Sequence, residues 1–258
     1  MRLGAAPVAD HGVYLSSMRL PLLDKLFFLD KVELGSIIDV GCADGTMLAA
    51  IEHVEPGLQL IGVDICPEMR ARANITVPRA EIVADLAAAL AAATARPRLV
   101  VLSSVIHEVY SYLGAERRAA FFEAIWNSGA EWIAIRDMMP GRDVDRPANP
   151  VSVARVRQMA HPERLAQFEE AWGAIDGNRA LLHYLLKYRY AANWAREVTE
   201  NYLPTTAEAF LAGVPRHYEV AYMDHFTLPY LRENVRRDFG VDLQDRSHLK
   251  LILRLRSC

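Results

Sequence analysis

The chain has 258 residues, 52% of them hydrophobic, and a formal net charge of −3. That length supports one sizeable core, or one domain with an insertion, and the charge excludes a global pull towards nucleic acid, though not a local basic patch. No segment approaches the ~20 apolar residues of a membrane span, the stretch Met1 to Ala9 is too weakly apolar for a signal peptide, and three cysteines without C-x-x-C spacing build no disulfide framework. The expected compartment is the reducing cytoplasm, with no membrane partner and no metal.

Residues 1–15 read as irregular. From Ser16 to Lys31, Met18, Leu22, Leu23, Leu26, Phe27 and Leu29 recur at mostly helical spacing and predict a helix across a sheet edge. Tyr14, just before it, is placed either to reach a ligand in the adjacent crevice or simply to pack. Ile37-Ile38-Asp39-Val40 then reads as a buried strand. Gly41 and Gly45 bracket a tight turn, and Thr46 to Ile51 resumes with helix formers. Glycine suits such a turn because a side chain would block approach of the backbone to a ligand, while the first helical N–H groups await an acceptor.

A dinucleotide turn has the pattern G-x-G-x-x-G. The run Gly41-Cys42-Ala43-Asp44-Gly45-Thr46 departs from it. Asp39 and Asp44 would repel a pyrophosphate and attract a sulfonium and an ammonium. The run resembles the first motif of the class I S-adenosylmethionine (SAM)-dependent methyltransferases, acidic-x-Gly-x-Gly-x-Gly, with Ala43 in place of the middle glycine. The resemblance implies an α/β fold with a seven-stranded, mostly parallel sheet. It also implies SAM as cofactor, held by Asp39, Gly41, Ala43 and Gly45. The alternative is a structural strand-turn-helix without a ligand.

Leu58 to Asp64 reads as a second strand ending in an acid, 23 residues after Gly41. That is the place for a carboxylate receiving the two ribose hydroxyls, with Ile65 flanking the adenine. Cys66-Pro67-Glu68-Met69 opens the next helix. Ala80 to Leu86 holds a short third strand and Asp85, which in the resembled family meets the adenine amino group or leaves that contact to the neighbouring backbone at Leu86. An alanine-rich helix follows, to Ala95.

Arg98 to Ser104 is the fourth strand, with Ser103 at its cofactor end. His107, Glu108 and Tyr110 follow at its carboxyl end, where open α/β sheets bind ligands. The run is not H-E-x-x-H, since residue 111 is serine. It is similar to the Ser-x-x-x-His loops of small-molecule methyltransferases, not to the Asn/Asp-Pro-Pro-Tyr/Phe run of enzymes that modify base amines. His107 is the expected general base and Glu108 its partner or a second base; a capping or core histidine is the other reading. Glu116 to Ser128 is an amphipathic helix. The fifth strand, Glu131 to Asp137, ends in Arg136 and Asp137, which either pair with each other or contact the acceptor.

Met138 to Arg216 interrupts the pattern with helices near Val151–Met159 and Pro162–Trp172, a long amphipathic helix from Asn178 to Glu200, and a short one opened by a capping box at Thr205 and Glu208. A simple crossover is shorter. The expected organisation is a core of residues 1–140 and 216–258 with a helical lid at 141–215; its apolar stripe, at Leu182 and Leu186, is equally suited to a dimer interface. Tyr188 and Trp194, on a face with Lys187, Arg189, Tyr190, Asn193 and Arg196, either stack on a substrate or pack. His217 to Met223, Thr227 to Phe239 with its Gly240 stop, and His248 to Leu255 close the chain as strand, helix and strand.

The expected activity is SAM-dependent methylation of oxygen, nitrogen or carbon on a small-molecule acceptor. An RNA or nucleotide acceptor on the basic, aromatic helix and a SAM-binding module without catalysis are the alternatives. The oligomeric state is not legible.

Overall fold

The computed structural model describes residues 21–256. Tyr14, Met18 and the start of the helix expected from Ser16 lie outside them. Of that helix, the described residues keep one turn, α1 (Leu22–Lys25), followed by non-helical turns.

Aliphatic runs form β1 (Ser36–Val40), β2 (Gln59–Val63), β3 (Glu81–Val83), β4 (Arg98–Ser103), β5 (Trp132–Met138), β6 (Tyr218–Phe226) and β7 (His248–Leu255). Among the described residues they pair as a seven-stranded sheet in the order β3-β2-β1-β4-β5-β7-β6. The first five are parallel, and β7 runs antiparallel to both neighbours. The helices α2 (Thr46–Val54), α3 (Pro67–Thr76), α4 (Leu86–Ala92), α5 (Ile106–Tyr112) and α6 (Ala115–Trp126) connect the parallel strands.

Side chains alternate across a strand, so each strand feeds two cores. Ile37, Leu99, Val101, Ala134 and Ile252 pack with Phe28, Leu48 and Ala73 on one face. Ile38, Val100, Leu102, Ile133 and Ile135 pack with Ala89 and Ile125 on the other. By the same parity Asp39, Ser103 and Arg136 belong to the first face and Asp137 to the second. Arg136 and Asp137 therefore do not pair with each other.

Between β5 and β6 lie α7 (Pro150–Met159), α8 (Pro162–Trp172), α9 (Asn178–Lys187), α10 (Trp194–Glu197) and α11 (Ala207–Ala212). Proline in the first turn of α7 and of α8 costs no hydrogen bond there. The apolar faces of α7 to α10 form a third core around Val156, Phe168, Leu182 and Leu185, whereas α11 packs Ala207 and Phe210 into the second core. Helix α12 (Pro229–Phe239) follows β6 in sequence, yet Leu231, Val235 and Phe239 bury in the third core. The stripe of α9 is thus covered within the chain: Leu182 and Leu186 are both buried.

The long helix expected from Asn178 to Glu200 is broken after Lys187 and resumes as α10 beyond a 3-10 turn at Ala191–Asn193. A continuous helix would carry Arg189 on the same side as the buried Leu185 and Leu186; the break leaves Arg189 exposed. Lys187, 0% exposed, anchors the return. Its Nζ donates to the carbonyls of Glu197 (2.7 Å) and Glu200 (2.6 Å) and sits among the rings of Phe168, Trp172 and Tyr202. The capping residue of α11 is Thr206, one place later than expected: its Oγ1 accepts from Ala209 N at 3.2 Å.

Replacing Lys187 by methionine keeps the apolar stem and leaves two buried carbonyls without their donor. The expected loss is about 1–3 kcal/mol of stability, measured as a lower urea midpoint. An unchanged midpoint would show that the amine does not hold the break in place.

Candidate active site

The turn after β1 is shaped by its own backbone. Gly41 and Gly45 have φ of 81° and 77°, and Ala43 has φ of 48°. A Cβ on Gly41 would stand 3.0 Å from Val105, and one on Gly45 3.0–3.2 Å from Val77 and Ala73. These two positions need glycine for backbone conformation and for packing against neighbouring protein, rather than for ligand approach. Ala43 adopts the left-handed region with a side chain, a strain associated with functional turns. Asp64 fixes the turn from β2: its Oδ2 accepts from Ala43 N (3.0 Å) and its Oδ1 from Cys66 N (2.8 Å). Each oxygen keeps a lone pair for a ligand hydroxyl.

Leu22, Lys25, Asp39, Gly41, Cys42, Ala43, Asp44, Thr46, Met47 and Ser103 line a small, partly open cavity of about 30 Å³. Its walls carry hydrogen-bonding groups without protein partners. Ser103 Oγ and Thr46 Oγ1 are buried and unbonded. Burial raises the Asp39 carboxyl to about 7, against the pull of Lys25. Lys25 comes from α1, and sequence reasoning missed it because a lysine in an apolar helix pattern reads as solvated. Asp24 beside it holds α1 down, pairing with Arg136 Nε (2.9 Å) and with Lys250. Orphaned hydroxyls, an acid and an ammonium around one cavity suit a ligand with hydroxyl, ammonium and carboxylate groups, which SAM has.

The other expected cofactor contacts lie towards β2 and β3. Ile65 is 63% exposed, an apolar side chain left open beyond β2. Asp85 caps α4, accepting from Ala88 N at 2.9 Å, and Leu86 begins that helix. Neither residue lines the small cavity.

Lys25 also lines a larger cleft of about 160 Å³, together with Ser104, His107, Glu108, Arg136, Leu186, Arg189, Tyr190, Asn193, Glu197, Glu200, Tyr202 and Tyr230. His107 is 6% exposed. Its partner is Asp137, not Glu108: Nδ1 lies 2.8 Å from Asp137 Oδ1. Asp137 also accepts from the backbone N–H of Ile106 (2.7 Å), His107 (3.3 Å) and Met138 (2.7 Å), so one carboxylate caps α5 and orients the imidazole. Burial would lower the His107 pKa, but Asp137, with Glu108 and Glu200, overrides burial and raises it to about 9. Asp137 is correspondingly held low by His107 despite its burial.

Glu108 pairs with Arg196 at 2.9 Å, and burial and Glu200 push its carboxyl up to about 7. Glu200 lies 2.8 Å from Arg196 and 4.0 Å from His107 Nε2, and accepts from Tyr112 at 2.5 Å. His107, Glu108 and Glu200 offer atoms within 4.8 Å of one another, a spacing that can hold a metal. The Arg196 guanidinium, bridging both carboxylates, supplies positive charge there.

Three expected acceptor contacts stand elsewhere. Tyr110 packs on Phe122 beneath Arg118. Tyr188 donates to Asp238 (2.7 Å) and stacks edge-on to Phe239. Trp194, 8% exposed, donates to Gln167 (2.7 Å). Each aromatic is committed to a protein partner, and none lines the cleft. The insertion instead contributes Tyr190, Asn193, Glu200 and Tyr202, which the broken helix brings round to the sheet.

Two outcomes follow from this geometry. The His107–Asp137 pair stabilises the fold fully below pH 6.5 and loses that contribution as pH rises through about 9, because the folded pKa lies above the unfolded one. Asp137→Asn should remove this alkaline loss, read from melting temperatures across pH 6–10, while lowering stability at neutral pH. Ala43→Gly should relieve left-handed strain and raise stability by roughly 0.5–1 kcal/mol; a clear loss of stability would mean that the alanine methyl packs usefully.

A family model described as a methyltransferase domain matches residues 14–125. A search of curated proteins by sequence gives no match. Among solved structures, a SAM-dependent methyltransferase from Anabaena variabilis is 13% identical, with a TM-score of 0.52 over 98% of this chain and 88% of that one. A SAM-dependent methyltransferase from Archaeoglobus fulgidus is 15% identical, with a TM-score of 0.50 over 95% and 100%. A plantazolicin methyltransferase, solved with a triazolic substrate analogue and SAH, is 10% identical, with a TM-score of 0.49 over 96% and 87%. At these identities the structural likeness speaks to the fold alone, which is the one that strand order and glycine turn had already indicated. The methyltransferase-domain match over residues 14–125, the sheet topology and an acid-flanked turn opening on a polar cavity together support a class I SAM-dependent methyltransferase.

Proposed function

We propose that the chain methylates a small molecule bearing an O–H or N–H, held in the cleft between the sheet edge and the insertion, and that His107 receives the acceptor proton. The observation that carries this reading is His107 itself. Its Nδ1 is tied to a buried carboxylate, and its Nε2 is directed to the cleft beside Glu200.

SAM, when bound, supplies a methyl group on a sulfonium. The cavity residues Asp39, Ser103, Thr46 and the Gly41–Gly45 turn would hold it, with Asp64 and Ile65 towards the ribose and adenine. On the acceptor side, Leu186, Tyr190, Tyr202 and Leu231 give the cleft apolar walls that orient the acceptor and limit water. The proton passes from the acceptor to His107 Nε2, and Asp137 stabilises the resulting imidazolium. At neutral pH the raised pKa keeps His107 protonated in the free protein. A sulfonium nearby disfavours that second positive charge and lowers the pKa. The groups around the imidazole are Asp137 from β5, Glu108 from α5, Glu200 with Arg196 from the insertion, and His248 from β7.

Residues 141–215 act in this reading as a lid that shapes the acceptor site. Four residues of the basic, aromatic stretch give a nucleic-acid acceptor little support: Lys187 is fully buried, Tyr188 and Trp194 are packed, and Arg196 is bound to two carboxylates. No helix among the described residues is long and apolar enough to cross a membrane.

The test is a transfer assay with methyl-labelled SAM against phenols, amines, carboxylic acids and total RNA. Label in a low-molecular-weight product is expected; label confined to RNA would overturn the reading. With an acceptor in hand, His107→Ala should lower turnover by about 10²–10⁴ while leaving SAH affinity nearly unchanged. The acidic limb of the pH–rate profile should lie between about 6.5 and 9, and should move to lower pH in Asp137→Asn. Full turnover in His107→Ala would assign the proton to another group or to none.

A further inference from the structure

A second imidazole lines the acceptor cleft. His248 opens β7, opposite Met138 of β5, and is 4% exposed. Its Nδ1 lies 2.8 Å from the Oγ of Ser247, and its Nε2 has no partner among the described residues. Ser247 is fully buried, and His248 Nδ1 is the one partner of its hydroxyl among those residues. A hydroxyl has a single hydrogen to place. Pointed anywhere but at Nδ1, it would be buried without an acceptor, which costs free energy. Ser247 therefore donates to Nδ1, and the neutral ring carries its own proton on Nε2.

The ring stays neutral. Burial first, and then repulsion from Arg136, His107 and Lys250, holds its pKa well below the ordinary histidine value. The environments of the two imidazoles on this cleft thus push them apart. A carboxylate at Nδ1 favours the imidazolium of His107, whereas a hydroxyl at Nδ1 and cations nearby disfavour it at His248. What His248 offers the cleft is an N–H donor in a fixed place. Its backbone is paired on both sides, with Met138 and with Phe226, and its ring lies 5.8 Å from the Phe226 ring. A buried donor that faces a cleft calls for a lone pair on whatever enters.

We propose that His248 orients the methyl acceptor: its Nε2–H donates to a second oxygen of the small molecule, a carbonyl or carboxyl oxygen set apart from the O–H or N–H that faces His107. This deepens the function proposed above and rests on it for what occupies the cleft. The cations that keep the ring neutral also favour an oxygen with partial negative charge. A molecule without that oxygen can still fill the apolar walls, but it leaves the donor unmatched, and a site built around a buried donor discriminates against such a ligand. His248 sets orientation and specificity and takes no proton.

Two measurements on wild type in the presence of SAH test this, and neither needs a variant to fold. Nitrogen NMR of isotope-labelled imidazoles reads the tautomer at neutral pH. A neutral His248 with its proton on Nε2 is expected; a proton on Nδ1, or an imidazolium, overturns the proposal. Calorimetry then compares para-hydroxyacetophenone with para-ethylphenol, which differ in the carbonyl oxygen and not in charge. The ketone should bind about three- to tenfold more tightly. Among variants first checked by thermal melting, His248→Leu should lose that preference and His248→Gln, which keeps an N–H donor, should retain part of it. Equal binding of the two phenols, or binding of neither, overturns the proposal. His107→Ala separates it from the reading on which it rests, since the ketone preference should survive there. A preference without methyl transfer from SAM to either phenol keeps the His248 contact and leaves the proton transfer to His107 unsupported.

Discussion

The site depends on the charge of Asp137, a fully buried carboxylate at the end of β5. It accepts three backbone N–H groups and the His107 imidazole, so its oxygens are satisfied without water. Two of those N–H groups belong to the buried first turn of α5, where the helix dipole also favours a negative charge. A buried ion with this many donors is secure; with one fewer it becomes a liability. The same bonds therefore set where α5 begins, which way His107 points and how strongly it holds its proton. The end of β5 and the start of α5 form one electrostatic unit.

A second unit holds the cofactor side. Asp64 ties β2 to the glycine turn, and Asp24 ties α1 to β5 and β7. The cavity between them is shaped before any ligand arrives. Its unpaired hydroxyls and ammonium are groups that a bound molecule would complete, which is the signature of preorganisation: the ordering cost is met in folding, and less of it remains to be met on binding.

The sheet was legible in the sequence because strand period and glycine turns are local signals. A seven-stranded, mostly parallel sheet followed from resemblance, and β1 to β7 fall where their aliphatic runs predict. The insertion was less legible. Nothing local at Tyr188 or Arg189 announces the end of a helix; the break is held by Lys187, whose two acceptors lie ten and thirteen residues on. Tyr188 and Trp194 carried the composition of a binding face and turned out to be core, because aromatic and cationic residues serve both roles. His107 lies at the cleft, and the partner at its Nδ1 is Asp137, which the reading of Glu108 as partner or second base did not include. Strand parity already separates Arg136 from Asp137, and applying it to the last two residues of the predicted strand would have assigned Asp24 and His107 to them as partners only once α1 and α5 were known to flank the sheet.

That parity makes the length of β5 part of the chemistry. The side chains of Arg136 and Asp137 work on opposite surfaces of the sheet, one towards α1 and the other towards α5. Deleting a single residue between Trp132 and Arg136 would exchange their faces. The Asp137 carboxylate would then take the place of Arg136 and meet Asp24, a like charge, and the Arg136 guanidinium would take the place of Ile135 in the second core. Evolution at this strand is thus freer in composition than in register: an isoleucine can become a valine with a modest packing cost, whereas a frame shift of one position puts two charges in the wrong surroundings at once.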